Sequence, residues 1–224
     1  MPPSFSDMFE LHIQEAFADD PGPEAPAATR ERLKGLFAPG SARRMTTLGM
    51  LVGGALGRME PGTGDSVVYA SGYAESRALE DLIDSFPAAS PTLFQTSIQP
   101  SAVQQFMIGR QIPVGEFLPL SGSDLLGFHA LRAAALSPAP RVIVCGGEER
   151  GTWLLEHGLA SERAYAFALA LTAARPRRPL GLVRLAPGGG DGGLGLPGLF
   201  DVVRDRRPLD CQAAPGWRLQ IEWH

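Results

Sequence analysis

The chain has 224 residues, of which 44% are hydrophobic and 20% are charged, as in ordinary soluble globular proteins. Its formal net charge of −4 argues against DNA or RNA as a partner, because nucleic-acid-binding surfaces are basic. The two cysteines, Cys145 and Cys211, do not make a disulfide framework. We expect a single domain over residues 1–224, with a core at about 9–186 and a C-terminal loop and strand at 187–224.

The sequence also predicts the compartment and the absence of bound groups. The first residues lack the basic segment and apolar core of a signal peptide. The longest apolar run, residues 48–56, is interrupted by glycines and is too short to span a membrane. No Cys or His pair has metal-ligand spacing, and we expect no cofactor. A cytoplasmic protein without a membrane span is therefore predicted.

In chain order, the first elements alternate between strand and helix. Residues 9–14 alternate apolar and polar side chains, as a half-buried strand does. A Pro/Ala-rich connector over 19–28 precedes a helix within 43–59, where apolar residues recur at helical spacing. A short strand follows at 66–71, and then a helix at 75–85. The residues expected to face the core on this last helix are Leu79, Leu82 and Ile83.

The next elements repeat this alternation. We predict a helix at 101–110, a strand at 114–120 and a second helix at 122–136 with one apolar side. Residues 141–147 are apolar and end at a glycine pair, which indicates a fully buried strand.

The last third of the chain has a weaker pattern. Residues 161–174 are rich in alanine, which favours a helix, and residues 188–198 form a glycine-rich flexible loop. Residues 180–185 and 217–223 alternate as strands do. Taken together, the elements predict an α/β fold with a mixed, mostly parallel sheet and helices on both faces.

One segment has the geometry on which acyl-transfer enzymes place a nucleophile: residues 119–127 pass from a strand through a sharp turn into a helix. The turn has no cysteine. Its hydroxyl candidates are Ser121 and, less favoured, Ser123, and a serine needs a general base close by. His129 lies eight residues beyond Ser121, about two helical turns away, and is expected to be packed or solvated. The other histidines are His12, His157 and His224.

The residues considered so far leave two alternative functions open, one an enzyme and the other a binding protein. A serine acyltransferase or hydrolase using Ser121 is one, although the Gly-x-Ser-x-Gly spacing is absent and Asp124 is badly placed for a triad. A homodimeric ligand-binding module is the other. Basic clusters at 43–44, 175–178 and 204–207 are expected to be solvated surface, or else a docking site for an acidic carrier protein.

An ordered set of segments resembles the N-terminal half of β-ketoacyl synthases, which belong to the thiolase-like superfamily. More narrowly, the set resembles the short chain length factors of aryl polyene biosynthesis. It covers most of residues 9–186 and implies a thiolase-like half-fold. The segments are Arg43-Arg-Met45 before a helix, Val67-Val-Tyr-Ala-Ser-Gly-Tyr-Ala-Glu75, Ser90-Pro-Thr-Leu-Phe-Gln-Thr-Ser-Ile-Gln-Pro100, the strand–turn–helix at 114–136, and the strand at 142–147.

The departures from this family concern its catalytic groups. Members typically have His and Asn where this chain has Gln99 and Pro100. Their nucleophilic cysteine corresponds to Ser121, or to Ser123 if the preceding loop is aligned without a gap. Their catalytic histidines belong to a second half-domain that a chain of this length lacks. The resemblance therefore implies an inactive ketosynthase-like subunit rather than an enzyme.

The resemblance also implies a partner. In ketosynthase dimers the strand that leads to the nucleophile pairs with its mate across the two-fold axis, and here that strand is 114–120. We therefore expect a heterodimer with a catalytic ketosynthase in polyketide- or fatty-acid-type biosynthesis, with acyl-carrier protein as a further possible partner. The residues expected at the substrate tunnel and interface are Gln99, Pro100, Phe106, Met107, Val114, Phe117 and Leu118.

Overall fold

The structure, a computed structural model, describes residues 8–122 and 124–224. The strands are β1 (Phe9–Asp19), β2 (Asp65–Ser71), β3 (Glu116–Ser121), β4 (Arg141–Glu148), β5 (Tyr165–Thr172), β6 (Gly181–Pro187), β7 (Leu209–Ala214) and β8 (Trp217–Trp223). The helices are α1 (Pro26–Leu33), α2 (Pro39–Ala42), α3 (Thr47–Arg58), α4 (Ser76–Asp84), α5 (Pro91–Thr96), α6 (Ser101–Arg110), α7 (Leu126–Leu136), α8 (Trp153–Glu156) and α9 (Leu196–Asp205).

The described strands form one sheet in the order β3-β2-β4-β5-β1-β6-β8-β7. Strand β2 is parallel to β3 and β4, whereas the other neighbouring pairs are antiparallel. The predicted α/β fold with a mixed sheet is therefore confirmed, but the prediction of a mostly parallel sheet is wrong. The short connection from β7 to β8 accounts for one of these antiparallel pairs, because two strands that pair directly and are joined by a tight turn must be antiparallel.

Helices cover both faces of the sheet, as the sequence predicts. On one face α3 packs against β4 and β5, and α6 packs against α3. On the other face α7 packs against β2 and β4, while α9 packs against β1 and β5. Each face has its own continuous core of buried apolar side chains.

Strand β5 corrects the prediction of a helix at 161–174. Every residue of β5 is buried, because it lies between β4 and β1 with helices above and below. Its sequence alternates large and small side chains: Phe167 and Leu169 join the core under α7 and α9, whereas Ala166 and Ala168 join the core under α3. Alternation of size with period two is a strand signal that alanine content hides.

The C-terminal segment contains more structure than the predicted loop and strand. Helix α9 and strand β7 lie within residues 187–224 in addition to the predicted β8. Residues just before α9 cover the start of α7, where Phe128 N–H donates to the Leu194 carbonyl at 3.1 Å. A Cβ at Gly127 would lie 2.6 Å from the Gly195 carbonyl oxygen, so this close approach requires glycine.

Helix α4 is present, but two of its predicted core residues are not buried. Leu82 is 8% exposed, whereas Leu79 is 39% and Ile83 is 42% exposed. The buried side of α4 includes the carboxylate of Glu80, which is fully inaccessible and accepts hydrogen bonds from Thr152, just before α8, and from Leu154 in α8. Apolar spacing alone did not reveal that a polar contact orients this helix.

Candidate functional site

The turn that follows β3 is the region where the sequence placed a nucleophile. Ser121 is the last residue of β3, is exposed, and lies in register with Ser71 of β2. Gly122 has φ +64°, a left-handed conformation that lets the chain turn sharply towards α7. Ser123, the less favoured candidate, lies outside the described residues.

No described side chain hydrogen-bonds the Ser121 hydroxyl. His129 is exposed on α7, and its ring packs edge-on against Phe128. His157 is exposed after α8, and His12 lies on β1, on the far side of β2, β4 and β5 from β3. The described residues therefore place no general base at Ser121.

Two of the residues predicted at the tunnel or interface lie beside the carboxyl end of β3. The Gln99 side-chain amide donates to the Leu120 carbonyl at 3.2 Å. Pro100 follows directly and is the N-cap residue of α6. The loop that carries the two departures from the family pattern is thereby fixed next to the candidate nucleophile turn.

The other predicted interface residues have different environments. Phe117 and Leu118 are half-buried and pack on opposite faces of the sheet. Val114 and Met107 are half-buried on the α3 side. Phe106, by contrast, is 2% exposed and fills the core of this chain, where its ring contacts α3.

Strand β3 forms one edge of the sheet, and among the described residues only β2 pairs with it. The exposed residues of this edge are Glu116, Pro119 and Ser121. Pro119 lacks an N–H and therefore donates no hydrogen bond to a neighbouring strand, as is common for a proline in an edge strand. The opposite edge of the described sheet is β7, whose Asp210 is paired with Arg218 of the neighbouring β8.

A cluster of buried glutamates lies at the carboxyl ends of β2 and β4, and the sequence reasoning missed it. Glu148 accepts hydrogen bonds from the Ser71 hydroxyl at 3.0 Å, from Tyr73 N–H at 3.3 Å and from Gly72 N–H. These bonds tie β4 to the turn after β2. The only sequence signal was a pair of acids directly after a buried apolar strand.

Two further glutamates of this cluster hold the starts of helices. Glu75 accepts from Ala102 N–H at 2.9 Å, at the start of α6. Glu149 accepts from Leu48 N–H at 3.1 Å, at the start of α3. Carboxylates are favourable at helix N-termini because the first backbone N–H groups lack partners within the helix and carry partial positive charge.

Burial raises the pKa of each of these three carboxyl groups to about 7, for Glu75, Glu148 and Glu149 alike. The hydrogen bonds that each accepts counteract this effect only in part. Glu75 Oε2 and the nearby Tyr69 hydroxyl are buried without a hydrogen-bond partner among the described residues. The three glutamates thus hold neighbouring elements together through their hydrogen bonds. The hydroxyl that Glu148 contacts is that of the buried Ser71, so Glu148 is not a base for Ser121.

Glu80 allows a direct test of how much a buried carboxylate stabilises the fold by accepting hydrogen bonds from another element. Its carboxylate accepts from Thr152 N–H at 2.9 Å, from the Thr152 hydroxyl at 2.7 Å and from Leu154 N–H at 2.8 Å. We expect Glu80→Ala to lower the free energy of unfolding by about 3 kcal/mol, because buried donors lose their acceptor. Urea unfolding measures this. Asp81→Ala, next to it and 52% exposed, is the control and is expected to cost less than about 1 kcal/mol; equal effects would contradict the prediction.

The described residues contain neither a metal site nor a membrane-spanning helix. No group of three His, Cys, Asp or Glu side chains there is arranged to hold a metal ion. None of the helices in the same part of the chain is long and apolar enough to cross a membrane.

Comparison with known proteins identifies solved structures that share the fold of this chain. No protein-family model matches the sequence, and no curated protein matches it. A solved complex of the ketosynthase ApeO with its chain length factor ApeC from Xenorhabdus doucetiae does match, with a TM-score of 0.66 and 16% identity. The chain has a ketosynthase-like, thiolase-like fold. The predicted thiolase-like half-fold is thus confirmed.

The lengths covered distinguish the ketosynthase-like structures. The match to the ApeO–ApeC complex covers 95% of this chain and 98% of that chain. The ketosynthase domain OzmH KS7 of oxazolomycin biosynthesis in Streptomyces albus JA3453 matches with a TM-score of 0.50 and 13% identity, covering 82% of this chain and 48% of that chain. This chain therefore spans about half of that ketosynthase domain and nearly all of the chain in the complex.

Proposed function

We propose that this protein is a non-catalytic, chain length factor-like subunit that pairs through β3 with a catalytic β-ketoacyl synthase. Polyketide- or fatty-acid-type biosynthesis is the reaction class, and aryl polyene biosynthesis is the specific pathway we propose. The observation that carries the proposal is the combination of a β3 edge that pairs with no described strand other than β2 and a serine that has no base among the described residues. A chain of comparable extent occurs in a ketosynthase–chain length factor complex, which supports it.

Chemistry supports the absence of catalysis. Condensation proceeds through a thioester on a cysteine, and the equivalent position here is Ser121. A serine hydroxyl is a weak nucleophile unless a neighbouring base takes its proton. Among the described residues Ser121 has no such neighbour, and the chain carries Gln99 and Pro100 where the resembling family has His and Asn.

The edge position of β3 supports pairing. An edge strand presents unpaired N–H and C=O groups, which a strand of a second chain can pair with. The half-buried Phe117 and Leu118 flank this edge with apolar surface on both faces.

The direct test of this pairing is coexpression with a catalytic β-ketoacyl synthase from the same genome, followed by copurification and light scattering. A stable 1:1 complex is expected, and an isolated monomer would overturn the proposal.

Ser121 is tested separately by intact-mass measurement. After incubation with an acyl thioester, we expect no acyl adduct on this chain, while the catalytic partner acquires one on its cysteine. Ser121→Ala is expected to leave condensation by the complex within about twofold of the unchanged complex, because Ser121 makes no bond in the reaction. A stable adduct on Ser121, or loss of condensation in the variant, would favour a serine-dependent acyltransferase instead.

A further inference from the structure

A cleft of about 900 Å³ lies between α1, the start of α3, α4, α5 and the loop after β4. Its volume is within the range of small-molecule sites. No residue of β3 or α7 lines it, so it is separate from the edge and the turn to which the proposed function assigns the partner. Nothing in that proposal requires a cavity at this place.

The described lining of the cleft has an excess of uncompensated positive charge. Six arginines and five carboxylates line it. Arg77 and Arg163 are paired with Asp81 and Asp20. The lining arginines without a carboxylate partner among the described residues are Arg30, Arg43, Arg44 and Arg150.

Arg43 and Arg44 are presented by a segment that the structure holds in place. The Arg30 guanidinium donates to the Met45 carbonyl at 2.6 Å and to the Ala42 carbonyl at 3.3 Å, on either side of the two arginines. Helix α3 then begins at Thr47, which also lines the cleft. Two cations on an ordered segment are a feature of sites that bind anions.

A second observation points to a ligand. Glu149 lines the cleft and is only 6% exposed. Its Oε2 accepts from Leu48 N–H, but its Oε1 is buried with no hydrogen-bond partner among the described residues. A buried polar atom without a partner costs free energy, and in native structures it is usually satisfied by water or a ligand.

We propose that this cleft binds a small phosphorylated or carboxylated molecule. Its anionic group pairs with Arg43 and Arg44, and a hydroxyl group elsewhere on the molecule donates to Glu149 Oε1. The ligand thus needs both an anion and a neutral hydroxyl donor, which excludes purely apolar molecules. Binding here adds a ligand site to a subunit whose proposed role needs only the β3 edge.

Calorimetric titration with two probes tests the proposal. Glucose 6-phosphate carries an anion and hydroxyl donors, whereas inorganic pyrophosphate carries only the anion. We expect both probes to bind. The double variant Arg43→Ala/Arg44→Ala is expected to lower the affinity for each probe by about a hundredfold, a factor of about ten for each charge-assisted contact that is lost. Glu149→Gln is expected to lower the affinity for glucose 6-phosphate by about tenfold and to leave the affinity for pyrophosphate unchanged.

The control is Arg177→Ala/Arg178→Ala, which removes the same charge from exposed positions between β5 and β6. It is expected to bind both probes like the unchanged protein. Thermal unfolding of Glu149→Gln verifies that α3 remains folded. The proposal is overturned if neither probe binds at about 10 mM, or if both arginine pairs have equal effects. Binding of an acidic carrier protein through Arg43 and Arg44 without any response to the two probes would also overturn it.

Discussion

The Pro119→Lys variant is expected to lose its catalytic ketosynthase partner, with affinity reduced by at least about a hundredfold. Pro119 is exposed at the middle of the six-residue β3, the edge that we propose as the interface. A lysine there would bring an unpaired charge into a strand pairing, and lysines on edge strands are a natural means of preventing such pairing. Copurification with a tagged ketosynthase and light scattering of the eluted protein measure the loss.

The opposite edge of the sheet provides the matched control. Pro208 is exposed directly before β7, so Pro208→Lys makes the same chemical change at the far edge. This variant is expected to keep the partner. If Pro119→Lys also keeps it, or if both variants lose it equally, β3 is not the specific interface. Because both prolines are exposed, both variants are expected to fold.

Stability is expected to fall as the pH rises from 5 to 8. Glu75, Glu148 and Glu149 each have a pKa raised from 4.5 to about 7, so the folded state binds their protons more tightly than the unfolded chain. The stabilisation is complete below pH 4.5 and is lost as the pH passes through about 7. Each group contributes about 3 kcal/mol to this loss. Urea unfolding at pH 5, 6, 7 and 8 measures it.

Glu75→Gln isolates one of these groups. Glutamine keeps an oxygen to accept from Ala102 N–H and removes the charge whose burial is unfavourable. The difference in unfolding free energy between pH 5 and pH 8 is therefore expected to shrink by about 3 kcal/mol, with the variant more stable than the unchanged protein at pH 8. Glu162→Gln, at an exposed position, is the control and should keep the full pH dependence. A Glu75→Gln protein with an unaltered pH dependence would contradict the burial of this charge.

Carboxylates paired with arginine act in a lower pH range and do not interfere. Asp65 lies against Arg141, and although burial opposes ionisation, hydrogen bonds from Arg141 and Gly62 hold its pKa below the usual value. Because this pKa is lowered in the folded state, the ionised carboxylate stabilises the fold above about pH 4, and this stabilisation is lost as the pH falls further. Measurements that start at pH 5 therefore report the buried glutamates.

Much of the element pattern could be predicted from local spacing. The helix at Ser101–Arg110 and the strand at Trp217–Trp223 have the predicted bounds, and β2, β4 and α3 differ only at their ends. Their apolar residues recur with one clear period, which local sequence records. Helix α9 and strand β7 were missed because their short patterns lie next to a glycine-rich stretch.

The candidate site was predictable in part. The turn at Ser121 and the replacement of the family's His and Asn by Gln99 and Pro100 are visible in the residues alone. The buried glutamates were not, because a carboxylate is usually exposed and only its partners keep it inside. Their partners are distant in sequence, as with Glu149 and Leu48, which lie 101 residues apart.

The order and periodicity of the residues are enough to specify an α/β protein with a strand–turn–helix that has Ser121 at its turn. Contacts in three dimensions were needed to show that β3 is an edge, that β5 is a central strand, and that β7 and β8 extend the sheet beyond the predicted core. Local periodicity specifies which face of an element is apolar. The neighbours of each element depend on contacts between residues far apart in the chain, and those contacts place β3 at an edge of the described sheet.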